Sequence, residues 1–93
     1  MDKQKIYYLD NASGTQMSNE AYREMIDAYG SLYANPETIY KSGRDASDAI
    51  LLAKQKIAKA IGASAEEIVL TSGEAESNNL AIKGIARANR KKG

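Results

Sequence analysis

The groups in this chain best suited to chemistry lie at Thr71-Ser72-Gly73, between a short apolar run and a stretch with helical character. The backbone N–H groups of a first helical turn have no intrahelical acceptor, and they favour an anion, phosphate above all. Gly73 permits close approach of the backbone, and Thr71 or Ser72 could add a hydroxyl donor. Glu74 and Glu76 pull the other way. Acidic side chains in a first turn already stabilise the positive helix end, and an ionised Glu74 repels a phosphate held at the same amides. Two other places hold polar groups in suggestive company. Asp10-Asn11 follows directly on Tyr8-Leu9 and suits either a substrate contact or an Asx turn closing the apolar stretch. Tyr40 lies in a loop, as a packed interface aromatic or as a donor that does not titrate near neutral pH.

The residue types that are missing narrow the chemistry further. Without cysteine the chain has no disulfide, no thiolate metal site and no thiol nucleophile of its own. Without histidine it lacks the commonest metal ligand and the commonest base near neutral pH. The carboxylates show no calcium-loop spacing, so no metal site is expected. The 13 basic and 12 acidic side chains leave a formal charge of +1, which speaks against a dedicated nucleic-acid binder. The one basic run, Arg87, Arg90, Lys91 and Lys92, reads as a solvated helix end, where cations meet the negative pole of the helix dipole. No apolar run approaches the roughly 20 residues of a membrane span, and Ile6-Tyr7-Tyr8-Leu9 is too short for a signal peptide. A cytoplasmic protein that touches neither nucleic acid nor membrane is the expectation.

The elements that must position these groups follow from spacing. Ile6 to Leu9 predicts a short strand, ended by the polar cluster Asp10 to Thr15. Ser18 predicts the cap of a helix reaching about Leu32, with Tyr22, Met25, Tyr29 and Leu32 on one apolar face. Asn35-Pro36 breaks it, and Ala34 to Ser42 is expected as an exposed loop. Ser42 with Asp45 resembles a capping box opening a second helix, whose apolar face runs from Ala46 to Ile61 and which ends at Gly62 in the left-handed C′ position. Ile68 to Thr71 is a continuous apolar run, the pattern of a strand covered on both faces. A third helix is expected from about Glu74 to Arg90. The inventory is an α/β one with three helices and one or two short strands. A central-type strand without neighbours does not complete a layered domain, so the chain is expected to be truncated.

Three motifs resemble one family. Tyr8-Leu9-Asp10-Asn11-Ala12 looks like the opening Y-L-D-N-A motif of cysteine desulfurases and related enzymes of the class V aminotransferase fold. Asn35-Pro36-Glu37-Thr38-Ile39-Tyr40, followed by Gly43-Arg44, is similar to that family's N-P-S-S-x-H-x-x-G-R segment. Glu67 to Gly73 and Glu76 to Gly84 resemble its E-I-(I/V)-F-T-S-G-A-T-E-(S/A)-N-N-L-A-(I/L)-K-G block. The motifs stand in the family's order with nearly its spacing, and together they span almost the whole chain.

The resemblance implies a type I pyridoxal-phosphate-dependent transferase fold, of which residues 1–93 would be the N-terminal part of an aminotransferase class V domain, ending before the catalytic lysine. It implies pyridoxal 5′-phosphate as cofactor, with the phosphate at Gly73, Glu74 and Ala75. Because Glu74-Ala75 replaces the family's Ala-Thr, only the backbone N–H groups of these two residues can inherit the role. Asp10, Asn11 and Tyr40 fall on the substrate side, Tyr40 where the family commonly has histidine. The Schiff-base lysine, the aspartate facing the pyridine nitrogen, the ring-stacking histidine and the sulfur-accepting cysteine all come later in family chains, so no catalytic residue is assigned here. The parent enzyme would convert L-cysteine to L-alanine with transfer of sulfur to its own thiol, as a homodimer serving iron-sulfur cluster assembly through a sulfur-acceptor protein. The 93 residues alone are expected to be inactive. A selenocysteine lyase, an aminotransferase or an epimerase of the same class remains open, as does a noncatalytic helical module that self-associates.

Overall fold

In the computed structural model the described residues are 3–93. Three helices carry the chain: α1 (Asn19–Ser31), α2 (Lys41–Ile61) and α3 (Glu74–Ala88), with a single 3₁₀ turn at Ala65–Glu67 before α3. Cα packing divides the chain into two units, one ending at Ile50 and the other running from Leu51 to Gly93.

The first unit holds α1, the loop after it and the opening of α2. Ser18 caps α1 as its sequence predicts: the Ser18 hydroxyl accepts a hydrogen bond from the Ala21 amide at 3.2 Å. Leu32 closes the helix by donating its amide to the Ala28 carbonyl. After it, the Asn35 side chain accepts from the Glu37 amide and the Asn35 carbonyl accepts from the Thr38 hydroxyl. The loop thereby folds back onto the start of α2. A Cβ at Gly43 would overlap the Thr38 hydroxyl and lie 2.7 Å from the Thr38 carbonyl oxygen and 2.8 Å from that of Asn35. Only glycine allows that approach. The segment expected to be an exposed loop therefore has Ala34 and Thr38 half-buried, and Gly43 and Ala46 fully buried beside it.

The opening of α2 also corrects the sequence reading. The helix begins at Lys41, so Ser42 falls inside its first turn and no capping box with Asp45 forms. Asp45 instead pairs with Lys41 at 2.6 Å, four residues back, where helical geometry brings the two side chains together. Arg44 donates its amide to the Tyr40 carbonyl and its guanidinium to the Ile39 carbonyl at 3.0 Å.

In the second unit, α2 ends as expected. Gly62 takes φ +72°, and the Ala63 amide reaches back to the Ala58 carbonyl at 2.8 Å, the six-to-one bond of a Schellman cap. The 3₁₀ turn follows, fixed by a capping box in which the Glu67 carboxylate accepts from both the amide and the hydroxyl of Ser64. Glu67 is held below its usual carboxylate value, first by the Ser64 amide and then by the Ser64 hydroxyl.

The expected strands do not form: no strand occurs among the described residues. Ile68 has extended angles, φ −94° and ψ 117°, but Val69, Leu70 and Thr71 find no ladder partner. Ile6 to Leu9 is likewise unpaired and exposed. The sequence pattern sets the local backbone, and a strand also needs a neighbour to take its N–H and C=O groups. The same shortage of partners governs packing. Ala46 and Ala58 are the only buried hydrophobic residues among those described, while Val69, Leu70, Leu80, Ile82 and Ile85 all stand more than half exposed.

Candidate functional site

The turn into α3 is built by side chains that close on its own backbone. Glu76, the third residue of the helix, swings back so that its carboxylate accepts from the Ser72 amide at 2.9 Å and from the Ser72 hydroxyl at 2.5 Å. These bonds, the hydroxyl first and the amide second, hold Glu76 below the usual carboxylate value. Thr71 donates its hydroxyl to the Gly73 carbonyl at 3.1 Å and shares a 2.6 Å hydroxyl–hydroxyl bond with Ser77. The same Gly73 carbonyl accepts the first intrahelical amide, that of Ser77, at 3.1 Å.

What remains open is a run of backbone donors. The amides of Gly73, Glu74, Ala75 and Glu76 have no acceptor among the described residues, while the two flanking amides, Ser72 and Ser77, are both satisfied. The hydroxyls that sequence reasoning offered as extra donors are not available in this arrangement. That of Ser72 serves Glu76, and that of Thr71 serves Gly73 and Ser77. The residues suited to an anion are thus Gly73, Glu74 and Ala75 by their N–H groups, with Glu76 contributing an amide as well. Nothing stands within 4 Å of the position a Gly73 Cβ would take, so the approach is open. The Glu74 carboxylate makes no hydrogen bond or ion pair with any described residue, which leaves it at liberty to turn toward solvent.

The other candidates sit in the first unit. Asp10 and Asn11 occupy a turn organised by backbone rather than by their side chains. The Asp10 carbonyl accepts from the amides of Ser13 and Gly14, and Thr15 donates its hydroxyl to the Asn11 carbonyl. The Tyr8 hydroxyl spans the turn, 2.9 Å from the Asp10 carbonyl and 2.6 Å from that of Gly14. An Asx turn, the alternative reading of Asp10 and Asn11, is therefore not what closes this segment. Both carboxylate and carboxamide stay without a hydrogen-bond partner among the described residues. Tyr40 stands at the entry to α2, more than half exposed, on a loop fixed by Gly43 and by the Arg44 bond to Ile39. Two stabilising features escaped sequence reasoning. The Ser64-Ala65-Glu66-Glu67 pattern was visible as S-x-x-E, and the reach of Glu76 to Ser72 needed the helix start to be located within one residue.

Among the described residues no group of three or more His, Cys, Asp or Glu side chains is placed to hold a metal, and no helix is long and apolar enough to cross a membrane.

The family model described as aminotransferase class-V matches residues 7–93. The chain is 48% identical over 86 residues to a cysteine desulfurase IscS of Dictyoglomus turgidum, covering 92% of this chain and 22% of that protein. It is 45% identical over 89 residues to a cysteine desulfurase IscS of Methanosarcina thermophila, covering 96% of this chain and 22% of the relative. A cysteine desulfurase IscS of Clostridium botulinum is 39% identical over the same length and with the same coverage. The chain thus spans about a fifth of the length of these relatives. No solved structure matches it.

Proposed function

The chain belongs to the aminotransferase class-V family, and on that premise we propose that it forms the N-terminal part of a pyridoxal-phosphate-dependent, cysteine desulfurase-like enzyme. The observation that carries the reading is the run of four acceptor-free amides, Gly73 to Glu76, inside a segment that the family model covers. Their donor chemistry fits a phosphate. Gly73, Glu74 and Ala75 would hold the phosphate of pyridoxal 5′-phosphate through the backbone, aided by the positive end of the α3 dipole. When bound, that cofactor supplies the electron sink that lets a carbon–sulfur bond of an amino acid break.

The chain's own residues bind and orient. The Glu76–Ser72 and Thr71–Ser77 bonds fix the turn before any anion arrives, so its amides need little reorganisation to receive one. Asp10 and Asn11 present unpartnered polar groups toward a substrate such as L-cysteine, and Tyr40 adds a hydroxyl able to donate a hydrogen bond. In the complete reaction the C–S bond of L-cysteine breaks, an S–S bond forms to an enzyme thiol, and the proton ends on the carbon of L-alanine. The lysine and the thiol come from outside these 93 residues. The working protein would be a cytoplasmic homodimer that passes sulfur to an acceptor protein.

The test joins this chain to the part of the Dictyoglomus turgidum relative lying outside the matched span, then assays sulfide and alanine from L-cysteine. The joined protein is expected to turn over, and the 93 residues alone to release no more sulfide than free cofactor does. A joined protein that folds, binds pyridoxal phosphate and leaves L-cysteine untouched would remove the desulfurase reading.

A further inference from the structure

The turn into α3 gathers negative charge around the amides that are free to hold an anion. Glu74 and Glu76 both lie in the first turn of the helix. The cleft beside it, lined by Glu67, Val69, Thr71, Ser77, Leu80 and Ala81, adds a third carboxylate and no cation. Lys41 with Asp45 is the single ion pair among the described residues, so none of these three carboxylates has a lysine or arginine against it. The first cation along α3 is Lys83, nine residues and about 13 Å of helix axis beyond Glu74. That exceeds the roughly 8 Å over which exposed charges act in physiological salt.

The three carboxylates are not equivalent. Glu67 is engaged by the amide and hydroxyl of Ser64, and Glu76 by those of Ser72. Glu74 has no hydrogen-bond partner among the described residues. Its side chain branches from a residue whose own amide is one of the four free donors, so an anion on those amides meets the carboxylate at close range. An ionised carboxylate can only accept hydrogen bonds, and the neighbouring hydroxyls of Thr71 and Ser72 are already committed. A phosphate monoester at neutral pH brings a charge of about −1.5 to −2, while the helix end offsets only about half a charge. What the turn lacks beside Glu74 is a hydrogen to accept. A singly protonated phosphate supplies one and carries less charge to be offset.

We propose that Glu74 selects the protonation state of the bound phosphate: the turn takes the ester in its singly protonated form, whose remaining O–H donates to the Glu74 carboxylate. The free amides hold the other phosphate oxygens. Such a charge-assisted O–H···O⁻ bond is roughly twice as strong as a neutral one, and it turns the one unpartnered carboxylate of the turn from a source of repulsion into a ligand. A carboxylate at close range favours the protonated phosphate, so the second ionisation of the bound ester moves upward from its ordinary value near 6. Binding therefore takes up protons from solvent and weakens as pH rises through neutrality. This rests on the reading of Gly73, Glu74 and Ala75 as the phosphate cradle.

The experiment follows the phosphate of pyridoxal 5′-phosphate bound to the joined protein by phosphorus-31 NMR, from about pH 5 to about pH 8, on either side of its ordinary ionisation. In Glu74→Gln the bound phosphate should titrate about one unit below its midpoint in the parent, equivalent to a tenfold change in relative affinity. Glu74→Asp keeps the charge and should titrate close to the parent, an outcome that a weakened helix start would not give. The affinity of Glu74→Gln relative to the parent should accordingly rise about tenfold between about pH 5 and about pH 8. For pyridoxal 5′-sulfate, which has one charge and no proton to donate, that ratio should stay level. Coincident midpoints in the parent and Glu74→Gln, with the amides of Gly73, Glu74 and Ala75 still responding to cofactor, would overturn the proposal and leave the cradle standing. A sulfate ratio that climbs as the phosphate ratio does would put the titrating proton on the protein and overturn it as well. No response at those three amides would remove the cradle and the proposal together.

Discussion

Glu74 and Glu76 are two carboxylates in one helical turn with opposite consequences. Glu76 is committed to Ser72 and steadies the turn. Glu74 has no partner among the described residues and contributes negative charge beside the amides proposed to receive a phosphate. Replacing Glu74 by Ala and Ala75 by Thr together removes that repulsion and adds a hydroxyl donor. In the joined protein the double change should tighten pyridoxal phosphate binding by about tenfold, a gain of roughly 1.4 kcal/mol, read by cofactor titration at fixed salt. Unchanged or weaker binding would leave the turn as a capped helix start and nothing more.

The same scale yields a pH prediction. Glu67 and Glu76 both have carboxyls held below the ordinary value of 4.5 by hydrogen bonds to their charged forms. A group lowered in this way stabilises the fold above its unfolded value, and the contribution disappears as pH falls through the lowered one. The 3₁₀ turn and the start of α3 should therefore stay formed through the mildly acidic range and loosen only below about pH 4.5. Carboxyl chemical shifts followed by NMR should place both midpoints under that value. A midpoint at or above it would mean that the bonds to Ser64 and Ser72 do not persist in solution.

At the scale of the element, helix boundaries were legible wherever one residue does one job. Ser18 announced the start of α1 and Gly62 the end of α2, because a capping hydroxyl and a left-handed glycine are local requirements that no distant contact overrides. Ser18→Ala should cost α1 about 1 kcal/mol, and Gly62→Ala should cost the last turn of α2 about 1–2 kcal/mol for a left-handed residue with a Cβ. Faster amide exchange confined to Ala21 in the first variant and to Ala63 in the second is the expected result. The Ser42–Asp45 reading failed for a related reason. The helix starts at Lys41, two residues before the Gly43 start that a Ser42 cap would give, and Asp45 pairs with Lys41 one turn away. The spacing Gly43-Arg44 was visible as a motif, but its role in holding the preceding loop was not, since it depends on the Thr38 hydroxyl and the carbonyls of Thr38 and Asn35 closing on Gly43, an approach that spacing alone does not encode.

At the scale of the molecule, the missing strands and the missing core have one origin. Ile68-Val69-Leu70-Thr71 reads as a buried strand, and the local backbone agrees at Ile68, but strand identity is a property of a pair. The helix faces were legible in the same incomplete way: Tyr22, Met25 and Tyr29 fall on one side of α1 as spaced, yet that side is exposed. On its own the chain should therefore self-associate or lose fixed side-chain packing. Sedimentation should show mass rising with concentration, and thermal unfolding should be broad. A sharp, concentration-independent transition of a monomer would contradict this.

The central claim is that the backbone at Gly73, Glu74 and Ala75 holds the cofactor phosphate, and it can be read directly in the joined protein with amides labelled by nitrogen-15. On addition of pyridoxal 5′-phosphate, those three amides and that of Glu76 should shift downfield together and become protected from exchange. The same concentration of inorganic phosphate should move the same four resonances less. Retention of their free positions at saturating cofactor, with the perturbations gathered instead around Arg87, Arg90, Lys91 and Lys92, would contradict the account.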